Sequence, residues 1–134
     1  MRPGGTRGRF FRANRSIDIT CDHMKIHVGL KEKVRVIGRR SVEAIAKFDT
    51  GAKRSCIDMT LAAKAHVGPI VGSARVFSGT NRKGVRRPIV MATIRVRGKK
   101  IELPVSVGDR SHSSAKVLIG RDIIKGKFII DVER

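Results

Sequence analysis

Acidic residues are scarce in this sequence. Its 134 residues include 11 Asp plus Glu against 30 Lys plus Arg, which leaves a formal net charge of +19 and an isoelectric point near 11.5. Such an excess of one sign repels itself and attracts polyanions, because each phosphate neutralised by Lys or Arg releases condensed counterions. We therefore expect an anionic partner, which could be a nucleic acid, an anionic membrane surface or an acidic polypeptide.

Aromatic residues and cysteines are also few. The absence of Trp and Tyr argues against a platform of aromatic rings on which single-stranded bases would stack. Two cysteines are too few for a disulfide framework, and Cys21, His23 and His27 do not have the spacing of a metal site. We predict no metal and no cofactor, and we expect Cys56 to be buried as a small hydrophobic residue.

Long apolar runs are missing as well. No stretch approaches the roughly 18 residues of a membrane span, and the Arg-rich start is not followed by the apolar stretch of a secretory signal. The basic residues do not lie on an amphipathic helix that could bind a membrane surface. A chain of 134 residues with 40% apolar composition has the size of one ordinary domain. We expect a soluble, cytoplasmic protein without a membrane partner.

Two tracts contain no acidic residue at all. One is the Gly- and Arg-rich segment 1–16, whose composition cannot bury enough apolar surface to fold alone, and the other runs between Asp58 and Glu102. A surface that needed only solubility would mix both signs, so we interpret these tracts as contact surfaces for RNA. The predicted RNA-binding residues are Arg2, Arg7, Arg9, Arg12, Arg15, Arg75, Arg82, Lys83, Arg86, Arg87, Arg95, Arg97, Lys99 and Lys100.

Beyond the basic segment, apolar and polar residues alternate with the period of short strands. Strands are predicted at 17–19, 24–28, 34–36, 42–48, 55–57, 117–119 and 128–132, with a hairpin of 90–96 and 101–107 across a turn at 98–100. Thr60 is predicted to cap a short helix, a turn of helix is predicted after Asp122, and 79–84 is predicted to be a basic turn. Many short strands with one or two brief helices indicate a small closed β-barrel.

Four sequence elements carry the pattern of a known family. They are Ala46-Lys47-Phe48-Asp49-Thr50-Gly51-Ala52-Lys53, the basic block 82–87, Leu118-Ile119-Gly120-Arg121, and Phe128-Ile129-Ile130-Asp131. In this order and spacing they resemble retropepsin-type aspartic peptidases. Within that type they resemble a bacterial and archaeal group labelled ATP-dependent zinc proteases, which occurs beside glutamate ligases of the RimK type. The resemblance covers about 42–132.

The resemblance implies a fold and a domain division. The fold would be mainly β, a small closed β-barrel of the retropepsin-like, single-lobe acid protease type with one or two short helices. We expect this barrel at 17–134, preceded by a basic extension at 1–16 like that of a ribosomal protein.

The resemblance also implies a chemistry that needs two copies of the motif. One carboxylate holds the proton that the other lacks, and the pair activates a water against a peptide carbonyl. This chain supplies one copy, so Asp49 would be catalytic only in a symmetric dimer, with Thr50 bracing the turn and Gly51 allowing close approach. In the alternative interpretation, Asp49 is a turn carboxylate without a catalytic role. No His-Glu-x-x-His sequence is present, so zinc-dependent proteolysis is set aside.

Two functions account for these features. We favour an RNA-binding structural component of the ribosome, or a ribosome-associated protein, whose barrel is a scaffold and whose Arg and Lys contact phosphates of ribosomal RNA beside neighbouring ribosomal proteins. Such a protein would not be an enzyme. The alternative is a homodimeric aspartic peptidase that acts on acidic, oligoglutamate peptides, for which the loop 79–84 would cover the substrate as a flap.

Overall fold

The computed structural model describes residues 24–78 and 81–134. The segment 1–16, the predicted strand at 17–19, Cys21 and His23 lie outside the described residues, as does the tip of the predicted turn at 79–84. The described elements are β1 (Ile26–Val28), β2 (Lys31–Ile37), β3 (Ser41–Phe48), β4 (Cys56–Asp58), α1 (Met59–Ala65), β5 (Ile70–Ser78), β6 (Asn81–Val96), β7 (Lys99–Gly108), β8 (Val117–Ile119), α2 (Arg121–Ile124) and β9 (Phe128–Ile130).

Six strands form a ring, which confirms the mainly β fold class. Their order is β2, β3, β8, β4, β7 and β6, and β6 pairs back to β2. β5 pairs with β6 outside this ring, while β1 and β9 form a separate parallel pair. Strands that follow one another in sequence pair mostly as antiparallel hairpins. By contrast, β8 lies between β3 and β4, although it is far from both in sequence.

The core of the ring is formed by strands in which buried and exposed residues alternate. On β2, Val34 and Val36 are buried while Lys33 and Arg35 are exposed. The same alternation on β6 buries Ala92, Ile94 and Val96, and on β7 it buries Ile101 and Val105. Since successive strand residues point to opposite faces, the alternating apolar residues fill the interior of the ring.

The helix α1 begins two residues earlier than predicted, because Asp58 rather than Thr60 is its N-cap. Asp58 has extended backbone angles, φ −61° and ψ 140°, and its carboxylate accepts the Thr60 N–H at 3.1 Å. The same carboxylate accepts the Arg110 N–H at 2.8 Å. A carboxylate in this position satisfies an N–H group that has no partner within the helix. Thr60 is therefore the second residue of the helix and not its cap.

The predicted hairpin is longer than expected, and a second hairpin lies beside it. The β6–β7 turn consists of Arg97 and Gly98, both at positive φ, because a two-residue turn of this kind matches the twist of its strands. Lys99 and Lys100, predicted in the turn, lie in β7. In the other hairpin 82–84 belongs to β6, and β5, which was not predicted, pairs beside it. Ile70 and Phe77 on β5 are 70% and 62% exposed, so β5 has no buried face to impose an alternating pattern.

Candidate active site

The Asp49 loop is attached to two parts of the ring. The N–H of Asp49 donates to the carbonyl of Ile119 at 2.8 Å, and the N–H of Phe48 donates to the carbonyl of Leu30 at 2.8 Å. The Gly51 N–H donates to Oδ1 of Asp49 at 2.9 Å, which closes a tight turn. A side chain at Gly51 would bring its Cβ to 3.2 Å from that oxygen, so glycine lets the chain approach the carboxylate closely.

Gly120 and Arg121 contact the backbone of this loop. Nη1 of Arg121 donates to the carbonyl of Thr50 at 2.9 Å, and the Arg121 N–H donates to the carbonyl of Ala52 at 2.8 Å. A Cβ on Gly120 would lie 2.7 Å from the Ala52 carbonyl oxygen and 3.0 Å from the carbonyl carbon of Arg54. The first and third sequence elements of the resemblance are therefore in direct contact, and the contact requires glycine.

A buried hydroxyl joins the two sides of the loop, and sequence reasoning missed it. Ser55 is fully buried; its Oγ donates to Oδ1 of Asp122 at 2.7 Å and its N–H donates to Oδ2 at 2.9 Å. The same Oγ accepts the Gly120 N–H at 3.0 Å, and the Ser55 carbonyl accepts the Ser106 N–H at 3.1 Å. Ser55 is only the first residue of the predicted strand 55–57, and its local sequence carries no signal for this role.

One face of the sheet beside the loop has a mixed apolar and cationic character. Four neighbouring strands contribute one residue each in register, which are Lys47 of β3, Leu118 of β8, Cys56 of β4 and Ser106 of β7. Residues paired in register lie on the same face of a sheet. Arg87 of β6 reaches this face, with Nη1 at 3.9 Å from Sγ of Cys56. Cys56 is buried with a free thiol, which confirms its predicted packing.

The structure brings the predicted RNA-binding residues to two places rather than one face. Arg75, Arg82, Lys83, Arg86 and Arg87 lie on the β5–β6 hairpin, and Arg95, Arg97, Lys99 and Lys100 lie towards the β6–β7 turn. β6 is 16 residues long, which at about 3.3 Å per residue spans up to about 50 Å. The five arginines of segment 1–16 lie outside the described residues.

The described residues also bear on metals and membranes. Within 24–78 and 81–134, no group of three or more His, Cys, Asp or Glu side chains could hold a metal ion. None of the helices that the structure describes is long and apolar enough to cross a membrane. The absence of a cofactor and the cytoplasmic location stay predictions from the sequence.

A six-stranded ring, an Asp-Thr-Gly loop seated on β8 and a Gly-Arg pair behind it define a retropepsin-like aspartic peptidase fold. The chain belongs to the aspartyl protease family, because the model of the family described as aspartyl protease matches residues 33–123. A comparison with curated proteins finds no match.

Solved structures with the same fold include a bacterial protein and viral proteases. A Legionella pneumophila protein of unknown function is 19% identical over 81% of this chain and 95% of its own, with a TM-score of 0.57. The EIAV protease, solved with an inhibitor, is 19% identical over 71% and 84%, with a TM-score of 0.59. The simian foamy virus protease is 14% identical over 70% and 90%, with a TM-score of 0.51. At these identities the likeness shows the fold.

These findings correct the function favoured from the sequence. The interpretation of the chain as a ribosomal, rRNA-binding component is wrong, because the family and the fold are those of aspartyl proteases. Net charge describes an attraction to anions in general and does not select among them, which is why it misled. The retropepsin-like assignment is confirmed, whereas membership of the group found beside glutamate ligases is not. The choice of RNA as partner is not tested by these comparisons.

Proposed function

We propose that this chain is one subunit of a homodimeric aspartic peptidase whose catalytic residue is Asp49. The observation that supports it most directly is the seating of the Asp49 loop between β8 and the Arg121 side chain, in a chain of the aspartyl protease family. Asp49 from each copy would form the reacting pair, with Thr50 bracing each turn and Gly51 allowing the loops to approach.

The need for a second copy follows from the chemistry. The reaction requires two carboxylates that share one proton, one acting as base on the water and the other as acid towards the peptide carbonyl. Asp122 is the other carboxylate attached to this loop region, and both of its oxygens accept hydrogen bonds from Ser55. It is therefore committed to holding the loop, and the partner of Asp49 comes from another chain.

An exposed apolar residue beside the Asp49 loop supports an interface with a second copy. Leu30 is 45% exposed, and its carbonyl accepts the N–H of Phe48, the residue before Asp49. Thr50 and Gly51 are exposed as well. Burial of this surface against its own copy would bring the two Asp49 loops together, since a twofold interface pairs the same patch of both subunits.

The substrate that suits this surface is an acidic peptide, with oligoglutamate as the simplest form. Lys47, Lys53 and Arg54 surround Asp49 in sequence and are all exposed. Lys53 and Arg54 line a surface pocket of about 300 Å³. The net charge of +19 would raise the local concentration of an anionic substrate and speed its encounter with the site.

The test is cleavage of a glutamate-rich peptide by the wild type and by Asp49→Asn, followed by mass spectrometry. We expect the substitution to lower the rate roughly 100- to 10,000-fold, as loss of acid–base catalysis does. Glu43→Gln is the matched control, because Glu43 lies on β3, the strand that leads into Asp49, and its exposed side chain forms an ion pair with Lys33 at 3.6 Å. Sedimentation should give a dimer. Undiminished cleavage by Asp49→Asn, or full activity of a monomer, would refute the proposal.

A further inference from the structure

Arg87 occupies an unusual position for a cation. It is half-buried on β6, and its guanidinium lies against the backbone of Gly108, where an added Cβ would meet Nη1 at 2.6 Å and Cζ at 2.7 Å. Its hydrogen-bond acceptor is the thiol of Cys56 at 3.9 Å. No carboxylate of the described residues forms an ion pair with Arg87.

This environment leaves most of the hydrogen-bonding capacity of Arg87 unused. A guanidinium carries five N–H donors in a planar fork, and a thiol sulfur is a weak acceptor. Removing a charge from water without giving it a partner is costly. A half-buried arginine in this state is therefore well suited to an anion that arrives with the ligand, because an Arg fork binds a carboxylate through two parallel hydrogen bonds.

The sheet surface beneath Arg87 extends to the Asp49 loop. Cys56 is in register with Leu118 on β8, and Leu118 is in register with Lys47 on β3. Two strand spacings separate Lys47 from Cys56, which is about 10 Å. Lys47 precedes Asp49 by two residues, is exposed, and forms no ion pair with a described carboxylate. Leu118 and Cys56 thus form a short apolar surface beside Asp49, with Lys47 at one end and Arg87 at the other.

We propose that Arg87 is the specificity-determining residue of a carboxylate-binding subsite, with Lys47 as its second cation, which takes a Glu or Asp side chain of the peptide substrate. A carboxylate is the anionic group that an unmodified peptide side chain supplies. The inference rests on the proposed peptidase function, but it concerns binding and so can be measured without turnover.

The neighbouring residue is a matched control. Arg86 carries the same charge on the same strand, but it lies on the opposite face of the β5–β6 hairpin, where Nη1 donates to Oγ of Ser73 at 2.9 Å. Loss of Arg86 or of Arg87 changes the net charge equally. A general attraction of acidic peptides to the basic surface would respond to both losses, whereas a subsite responds to the loss of Arg87.

The experiment compares two octapeptides that differ by Glu or Gln at a single position beside the cleaved bond, with that position varied in turn. The ratio of kcat/KM for the Glu peptide to that for the Gln peptide is measured in wild type, Arg87→Gln and Arg86→Gln. We expect one position at which Arg87→Gln lowers this ratio about 10- to 100-fold, the range of a charge-assisted hydrogen bond. Arg86→Gln should leave it within about twofold, because charge loss on the far face removes only screened attraction.

A binding measurement separates this inference from the peptidase proposal. Asp49→Asn protein is titrated with fluorescently labelled Glu and Gln octapeptides, alone and combined with Arg87→Gln or Arg86→Gln. A preference for Glu that is lost with Arg87 and kept with Arg86 supports the subsite, even if no variant cleaves any peptide. Equal effects of the two arginines, or no effect of either, overturn it.

Lys47→Gln provides a second variant in case Arg87→Gln does not fold. Because Lys47 is exposed, its replacement should leave the unfolding midpoint unchanged and lower the preference for Glu about threefold. If Arg87→Gln is unfolded and Lys47→Gln keeps the wild-type preference, the subsite is refuted.

Discussion

Replacing Asp122 by Ala tests whether the buried Ser55 network holds the Asp49 loop. The substitution removes two hydrogen bonds, of 2.7 and 2.9 Å, to a serine that is fully buried. The Ser55 Oγ would still accept the Gly120 N–H, but its own proton and the Ser55 N–H would have no protein acceptor.

The expected cost can be worked from these two groups. An unsatisfied buried donor costs about 1–3 kcal/mol, so two would cost about 2–6 kcal/mol. Asp122 itself is exposed, which lets water replace part of the lost carboxylate. We therefore expect the lower end, about 2 kcal/mol of the free energy of unfolding, and a fall in Tm of about 6–10 °C. Asp122→Asn keeps one carbonyl oxygen and should lose about half as much.

The measurement is urea unfolding followed by far-ultraviolet circular dichroism, since the chain has no Trp or Tyr to report by fluorescence. Glu43→Ala is the control for loss of one negative charge, because an exposed ion pair contributes about 0–1 kcal/mol. All proteins are compared at one concentration, as a dimer is stabilised by mass action. If Asp122→Ala unfolds at the same urea concentration as Glu43→Ala, the network does not hold the loop.

Three further predictions concern the loop, the dimer and pH. Gly120→Ala should unfold the site, because its Cβ would lie 2.7 Å from a backbone carbonyl oxygen, whereas Gly72→Ala meets nothing within 4 Å and should be neutral; equal melting temperatures would contradict this. Excess Asp49→Asn subunits mixed with wild type should abolish cleavage by forming hybrid dimers, and activity proportional to the wild-type fraction would count against a shared site. Hydrogen bonds from Ser111, first from its side chain and then from its backbone, hold the pKa of the exposed Asp109 below its ordinary value. A lowered pKa means that this turn is stabilised above about pH 4 and loosens as the pH falls through the folded pKa; in NMR, the Ser111 amide should titrate below pH 4 in wild type and stay constant in Asp109→Asn.

The sequence was sufficient to predict the strands that have one buried face. Val34, Val36 and their counterparts alternate because the ring interior accepts every second residue, and these strands appear where predicted. β5 could not be found in this way, since both of its faces are largely exposed and nothing selects one set of side chains. The cap of α1 was misassigned because Asp58 and Thr60 are both good capping residues. In the structure the Asp58 carboxylate accepts the Thr60 N–H and also the N–H of Arg110, which is 52 positions away and not visible in the local sequence.

The Asp-Thr-Gly motif could be predicted from the sequence, whereas the contacts that hold its loop in place could not. Asp49, Thr50 and Gly51 form a local pattern, so their turn follows from adjacent residues. The contact between Ser55 and Asp122 joins residues 67 positions apart, through a serine that has no special local setting. Such a contact depends on β8 lying between β3 and β4, which is a property of the topology.

The positive charge that suggested the wrong function has a different consequence for a dimer. Two chains that each carry +19 repel one another as they approach, and burial of a surface such as that around Leu30 has to overcome this repulsion. An acidic peptide bound between the subunits lowers it, because its carboxylates lie close to cations of both copies. Under the proposed function, substrate and partner subunit therefore favour each other's binding, and by linkage each raises the affinity for the other equally. Arg86 and Arg87 add the same charge to the repulsion between the subunits. Of these two neighbours, only Arg87 contacts Cys56, on the sheet surface beside Asp49 where the peptide would bind.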